Sequence, residues 1–475
     1  MADEAPAFPH STSQITAPRG AAAGAARMKA LIEGPIAPTL FKLALPNIVS
    51  SIVGTGAIVL DTYYVGQLGV ASLAALALVF PIQTLMNMIS SGAMGGGISS
   101  AVARALGAGD VARAERVVTH SLVIAIGFAL VFTIVFGLFA QPIFAMLGGR
   151  GAALDGAVAY AGIVFGGAAI VFVTNTFVSV LRGTGNMAVP ARSLIGTAIL
   201  GTLVSGTLTL GWFGMPSVGV MGPAVAAIAM SALAGSVMFF YIVTGRAGLR
   251  LRLRLTDVQF SANIFYDIMK VGLVASGNAC LTIVTIIVVT GLVGRYGTEA
   301  LAGYGLGSRL ELILIPIAFS IGGALTAMVG ASFGAKRYAR ARAVALAGGG
   351  IVFALTALLG GTVSIWPDLW IGLFTADPGA SEIARTYLRI AGTCYAFFGM
   401  GMTLYFASQG TGSMIWPFSA GVARFTIAAG GGALCALVFG LPLEVLFTCV
   451  AVGLVLFGSI VALSLKSRVW NPEKP

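Results

Sequence analysis

The chain has 475 residues, is 58% hydrophobic and 9% charged, and carries a formal net charge of +11 with a mean hydropathy of +0.98. Soluble domains carry roughly 25% charged residues, so a soluble fold is excluded and an all-α integral membrane protein is predicted. The surplus of Lys and Arg comes with no aromatic-basic module. A nucleic-acid partner is therefore not expected, and the basic charge reads as topology plus attraction to anionic lipid in the bilayer.

The N-terminal stretch MADEAPAFPH puts acids first and has no apolar core, unlike a cleaved signal peptide. Residues 1 to about 28 are expected to be disordered, and RMKALIEGPIAPTLFKLALP to lie on the membrane surface. A crossing needs about 20 apolar residues. Twelve spans are predicted in chain order, near 42–68, 73–101, 118–141, 157–181, 191–213, 218–243, 267–292, 300–332, 343–366, 384–408, 415–440 and 442–465. The expected organisation is a disordered and interfacial segment (1–40), a first six-helix lobe (41–245), a basic linker (246–266), a second lobe (267–465) and a tail (466–475). With both termini in the cytoplasm, 21 of the 27 Lys and Arg fall inside, all but Arg150, Arg295, Arg309, Arg385, Arg389 and Arg424. That bias fits the positive-inside rule and predicts a multi-pass protein of the inner (plasma) membrane.

The sequence repeats itself. GAGDVARA at 107–114 matches GAKRYARA at 334–341, and RGTGNMAVP at 182–190 matches QGTGSMIWP at 409–417, both at an offset of 227. Tyr160 and Tyr387 share that offset, while VGQLGVASLA at 65–74 matches VGRYGTEALA at 293–302 at 228. Six spans per repeat is an even number, so the halves are parallel and related by an axis along the membrane normal. Such halves flank a cavity and rock around it, which is the physical case for a transporter.

Polar residues inside the spans mark where that cavity is wet. Asp61 lies late in the first span, and a central Asp costs roughly 2.5–3.5 kcal/mol to insert. Asn47, Ser50, Gly54 and Asp61 fall on one helix face. Gln83, Asn87 and Ser90 in the second span, and Asn175, Ser179 and Arg182 in the fourth, make two more stripes. The seventh span offers Asn278, Thr282 and Thr285. Glu311, two residues from Arg309 and so on another face, is either the second lobe's ionisable group facing cationic cargo or half of a structural ion pair near Pro316. Tyr395 stands with Phe397, Phe398, Met400 and Met402 on a surface suited to varied cargo or to ordinary packing. The four cysteines lie in apolar runs without metal-ligand spacing, and the two histidines are far apart. No cofactor, no metal site and no enzyme activity are expected.

LALPNIVSSIVGTGAIVLDTYYVGQLG, LGAGDVARAER and VLRGTGNMAVP together resemble the multidrug and toxic compound extrusion (MATE) transporters. The likeness covers roughly residues 35–465. It implies a V-shaped pair of helix bundles that exports organic, often cationic compounds in exchange for H⁺ or Na⁺. It implies that Asp61 belongs to a coupling site in the first lobe, and that Asn175, seven residues before Arg182-Gly183, faces that site. Where many relatives carry an Asn and an Asp four residues apart in the fifth helix, this chain has Gly201 and Ser205. The acids that one branch uses in the seventh and tenth helices are absent too.

The expected function is secondary antiport of amphipathic, mostly cationic small molecules by a monomer, coupled to H⁺ or Na⁺. The alternative within the same two-bundle plan is a flippase for lipid-linked sugars. Asp61 and Asn175 are the coupling residues. Asn47, Gln83, Asn87, Ser179, Ser205, Asn278, Thr282, Glu311 and Tyr395 are the candidate cavity residues.

Overall fold

A computed structural model describes residues 20–249, 260–375 and 377–472. The expected disordered residues 1–19, and Arg250, Arg252 and Arg254 of the expected linker, lie outside the described residues. Every regular element among the described residues is helical, because a helix satisfies its own backbone polar groups inside hydrocarbon. The first half comprises α1 (Ala21–Glu33), α2 (Ile36–Gly66), α3 (Val70–Gly107), α4 (Val111–Met146), α5 (Gly151–Gly166), α6 (Ala168–Gly183), α7 (Ala188–Leu210) and α8 (Gly222–Val243). The second comprises α9 (Ala262–Gly294), α10 (Thr298–Gly334), α11 (Tyr338–Ile365), the short α12 (Asp368–Ile371), α13 (Pro378–Thr411), α14 (Ile415–Val438) and α15 (Leu443–Ser464). Eleven helices are long and apolar enough to cross a membrane, and α5 with α6, bent by 47° at Gly166–Gly167, makes a twelfth. Several helices outrun their predicted spans because polar turns stay helical beyond the apolar run. The charged start of α4 is an example, capped where Asp110 Oδ1 accepts from the Arg113 N–H at 2.8 Å.

The change of repeat offset from 228 to 227 has a structural cause. Between the matched segments, Met88–Met94 of α3 winds as a π-helix. A single π turn within an α-helix accommodates one extra residue, and α3 has 38 residues where α10 has 37. The repeat mate of Met88 is Pro316. Each lobe therefore loosens its second helix at the same point, one by an inserted residue and the other by a proline. The α5–α6 bend has a mate as well, a 3₁₀ turn at Gly392–Cys394 within α13.

One core joins Val79, Ile98, Phe136, Phe165 and Leu181 of the first lobe. The other joins Leu314, Met328, Phe447 and Phe457 of the second, and takes in Leu31, Leu40, Ala44 and Met187 as well. Ala21–Glu33, expected to belong to an unstructured or surface-lying segment, form α1, which with its N-cap Gly20 straps the lobes together. The Gly20 N–H donates to Gly245 O (3.2 Å) and Arg27 to Ala247 O (3.0 Å). On the other side Arg340 donates to Leu31 O (3.2 Å) and Gly34 O (2.5 Å), and Arg337 pairs with Glu33 (2.9 Å). Leu31 is 2% exposed, and burying it from water contributes about 2 kcal/mol.

The lobes close on each other at this terminus-bearing end. A Cβ on Gly107 of α3 would lie 2.1 Å from Ala331 O of α10, and one on Gly334 of α10 would lie 2.0 Å from Arg104 O of α3. Gly107 and Gly334 are repeat mates, and so are Arg104 and Ala331. The crossing is thus reciprocal, like an isologous dimer contact within one chain. Arg104 then donates to Gln409 O (3.4 Å) and Gly410 O (3.3 Å) at the end of α13 and to Asp267 Oδ1 (3.1 Å) of α9. Asp267 also holds Arg113 (3.3 Å) and Lys270 (2.9 Å).

Candidate functional site

Toward the opposite end, the first lobe encloses a cavity of about 300 Å³, at the lower end of the range for small-molecule sites. Asp61 and Thr62 of α2, Gln83, Thr84 and Asn87 of α3, Tyr160 of α5 and Ser231 of α8 give it its polar lining. The α5–α6 bend leaves Tyr160 above the kink, where its hydroxyl reaches Gln83 Oε1 at 3.5 Å. Asp61 sits beside Tyr160 and Ser205. Asp61 Oδ1 and Ser205 Oγ are nevertheless buried atoms without a hydrogen-bond partner. Among the described residues no Lys or Arg pairs with Asp61, whereas Asp267 holds three cations. An orphaned carboxylate oxygen of this kind costs free energy until a proton, a cation or water meets it.

The predicted residues separate into groups. Gln83 and Asn87 share the Asp61 cavity, and Ser205 adjoins the carboxylate. Asn175 of α6 instead donates to Ser90 Oγ at 2.8 Å, beside the π turn, and its carbonyl accepts from Ser179 Oγ at 2.7 Å. Asn47 is buried further down α2, with Nδ2 3.7 Å from Met187 Sδ and facing Gly323 of α10. Its neighbour Ser51 meets Ser320 across the lobes at 3.2 Å. Asn47 and Asp61 therefore share a helix face but not a cavity, because α2 changes neighbours along its length.

In the second lobe, Tyr387 donates to Glu311 Oε1. Tyr304 stacks edge-on against Tyr387 at 5.2 Å, and the Tyr395 hydroxyl reaches Gly307 O at 3.5 Å. Arg424 of α14 lies over the Phe398 ring at 4.9 Å and is close enough for its charge to act on Glu311. Gln83 and Glu311 are mates at offset 228, and Tyr160 and Tyr387 at 227. The same tyrosine-to-side-chain bond thus recurs in both lobes, with an amide acceptor in one and a carboxylate in the other. Asn278 of α9 packs on Gly421 of α14 with Oδ1 unpartnered, and Thr282 bonds back to Asn278 O at 2.9 Å. Sequence reasoning used Tyr160 and Tyr387 as register marks and did not see them as partners of the acids. The signal was present in the two offsets taken together.

The family model MatE matches residues 46–207 and 275–434. The chain is 23% identical over 381 residues to a FAD transporter of Shewanella oneidensis, covering 80% of this chain and 82% of that one. It is 24% identical over 351 residues to a probable multidrug resistance protein, YoeA, of Bacillus subtilis, covering 74% and 76%. Its fold superposes on a MOP superfamily transporter from Pyrococcus furiosus with a TM-score of 0.85 at 22% identity, covering 94% of this chain and 98% of that one.

Proposed function

This chain belongs to the MatE family, and we propose that it is a secondary antiporter that exports amphipathic, mostly cationic compounds in exchange for H⁺ or Na⁺. Asp61 carries this reading, as a carboxylate that opens on a cavity, holds a buried unpartnered oxygen and, among the described residues, pairs with no Lys or Arg. An incoming ion that reaches Asp61 neutralises it. Moving a two-state carrier from 1:99 to 99:1 takes about 5.5 kcal/mol of differential binding. Relief of a carboxylate desolvated at several kcal/mol is of that order. Because α2 also carries Ser51 against Ser320, repacking α2 around a neutralised Asp61 transmits the event to the contact between lobes. Gln83 and Asn87 then offer neutral hydrogen bonds to cargo, and Asn175 holds α6 on the π turn through Ser90. With both termini in the cytoplasm, the present state is closed inward. The Asp61→Asn variant is expected to reach the membrane yet lose export of ethidium from energised cells. Ethidium export at the wild-type rate by Asp61→Asn would remove the assignment.

A second reading of the cargo, as an anionic compound like the FAD named for the Shewanella relative, is favoured by Arg182 where the lobes meet and Arg424 inside the second lobe. Uptake of labelled flavin dinucleotide into inverted vesicles, set against ethidium, separates the two.

A further inference from the structure

Where the lobes meet, the first lobe presents a cation that has no counter-ion. Arg182 ends α6, and its Nε is buried without a hydrogen-bond partner. Among the described residues no carboxylate pairs with it. Its guanidinium carbon lies 5.7 Å from the centre of the Phe319 ring of the second lobe. Beside it is a void of about 20 Å³, also lined by Ser91, Ser99, Ser179, Phe319 and Gln409.

The polar groups around this void divide into satisfied and unsatisfied ones. Ser91 donates to Asn87 O (2.8 Å), Ser179 to Asn175 O (2.7 Å) and Thr326 to Phe406 O (2.8 Å). Gln409 Nε2 donates to Gly92 O at 3.0 Å, whereas its Oε1, turned against Gly96, is buried without a partner. The Ser99 hydroxyl, like Arg182 Nε, is buried with no partner. Two unspent donors, one of them charged, and one unspent acceptor turned toward Gly96 therefore line a space that holds one water-sized particle. A full positive charge in a low-dielectric setting favours an anion there over a neutral water.

We propose that this void is a binding site for one small monovalent anion, chloride in the cell. Arg182 and Ser99 supply the donors from the first lobe, and Phe319 and Gln409 close it from the second. Arg182 and Gln409 are repeat mates, so the site lies on the pseudo-two-fold axis. It is assembled from both lobes and therefore exists while they are closed at this end. By linkage, the anion favours the closed state over any state in which the lobes have parted. The proposal does not depend on which ion drives transport.

The test uses the full chain in detergent at constant ionic strength, with sodium chloride, bromide or gluconate. Chloride and bromide are expected to raise the melting temperature in a saturable way. Arg182→Gln, which copies the residue found at the mate position, is expected to abolish that rise, and Ser99→Ala to weaken the apparent affinity about tenfold. An anomalous bromide peak beside Arg182 in crystals of the wild-type protein reads the site directly, whether or not the variants fold. Equal melting in chloride and gluconate overturns the proposal, and so does a bromide-grown crystal with no anomalous peak in the void.

Discussion

Replacing Gly107 by alanine is expected to open the terminus-bearing end. The new Cβ would stand 2.1 Å from the Ala331 carbonyl oxygen, where real Cβ contacts essentially never fall below 3.0 Å. The obstacle is backbone, so no side chain can swing away, and α3 and α10 must part by about 1 Å. Overpacking of this kind costs about 1–3 kcal/mol, and each 1.4 kcal/mol is tenfold in an equilibrium. The closed state should therefore lose roughly 5- to 150-fold against an open one. The gain in helix propensity from Gly to Ala applies in both states and cancels. Spin labels at Val111 and Ala339, both exposed, after replacement of the four native cysteines, report the distance across this end. Gly107→Ala and Gly334→Ala should each lengthen it. Because both relieve one reciprocal crossing, the double variant should cost less than the sum of the two. Gly127→Ala on α4, whose Cβ meets nothing within 4 Å, is the control and should leave the distance unchanged. Wild-type distances in both crossing variants would refute the account of closure.

Other perturbations follow from the same geometry. Arg104→Met removes donors from Gln409 O, Gly410 O and Asp267. Hydrogen bonds to charged groups contribute about 1.5–3 kcal/mol each, so the same labels should again move apart, and an unchanged distance would show that Arg104 is not a latch. Gln409→Ala strips Gly92 O of its partner at the π turn, and thermal melting should record a loss of about 1–3 kcal/mol. Glu311→Gln should fold like the wild type, since Gln83 already makes that bond to a tyrosine in the first lobe. It should raise the KM for a cationic dye roughly fivefold, as the loss of about 1 kcal/mol of charge attraction requires. An unchanged KM would leave Glu311 a structural acid.

Hydropathy made the twelve spans legible, and the offsets made the repeat legible. The step from 228 to 227 was visible too, but a one-residue insertion does not announce whether a loop or a helix absorbs it. Here a helix does, at Met88–Met94. Of the stripe that helical spacing drew through Gln83, Asn87 and Ser90, the first two line one cavity and Ser90 meets Asn175 instead. The spacing grouped Asn47 with Asp61 as well, and there the reasoning broke down, because periodicity fixes a face but not the neighbour that face meets at each turn. Thr282 shows a related limit, because a hydroxyl on a promising face can be spent on its own helix. The strap α1 was hidden by a first half of small residues, AAAGAA, without an apolar stripe. Its polar contacts join it to residues more than 200 positions away, through backbone carbonyls on both sides and the Glu33–Arg337 pair, which no local pattern records.

The central claim is that Asp61 carries the coupling ion, and efflux from proteoliposomes under separately imposed pH and sodium gradients tests it most directly. The account predicts that one of the two gradients drives dye movement by the wild-type protein. It predicts that neither gradient drives the Asp61→Asn variant, even though that variant still binds the dye. Gradient-driven efflux by Asp61→Asn at the wild-type rate would contradict it.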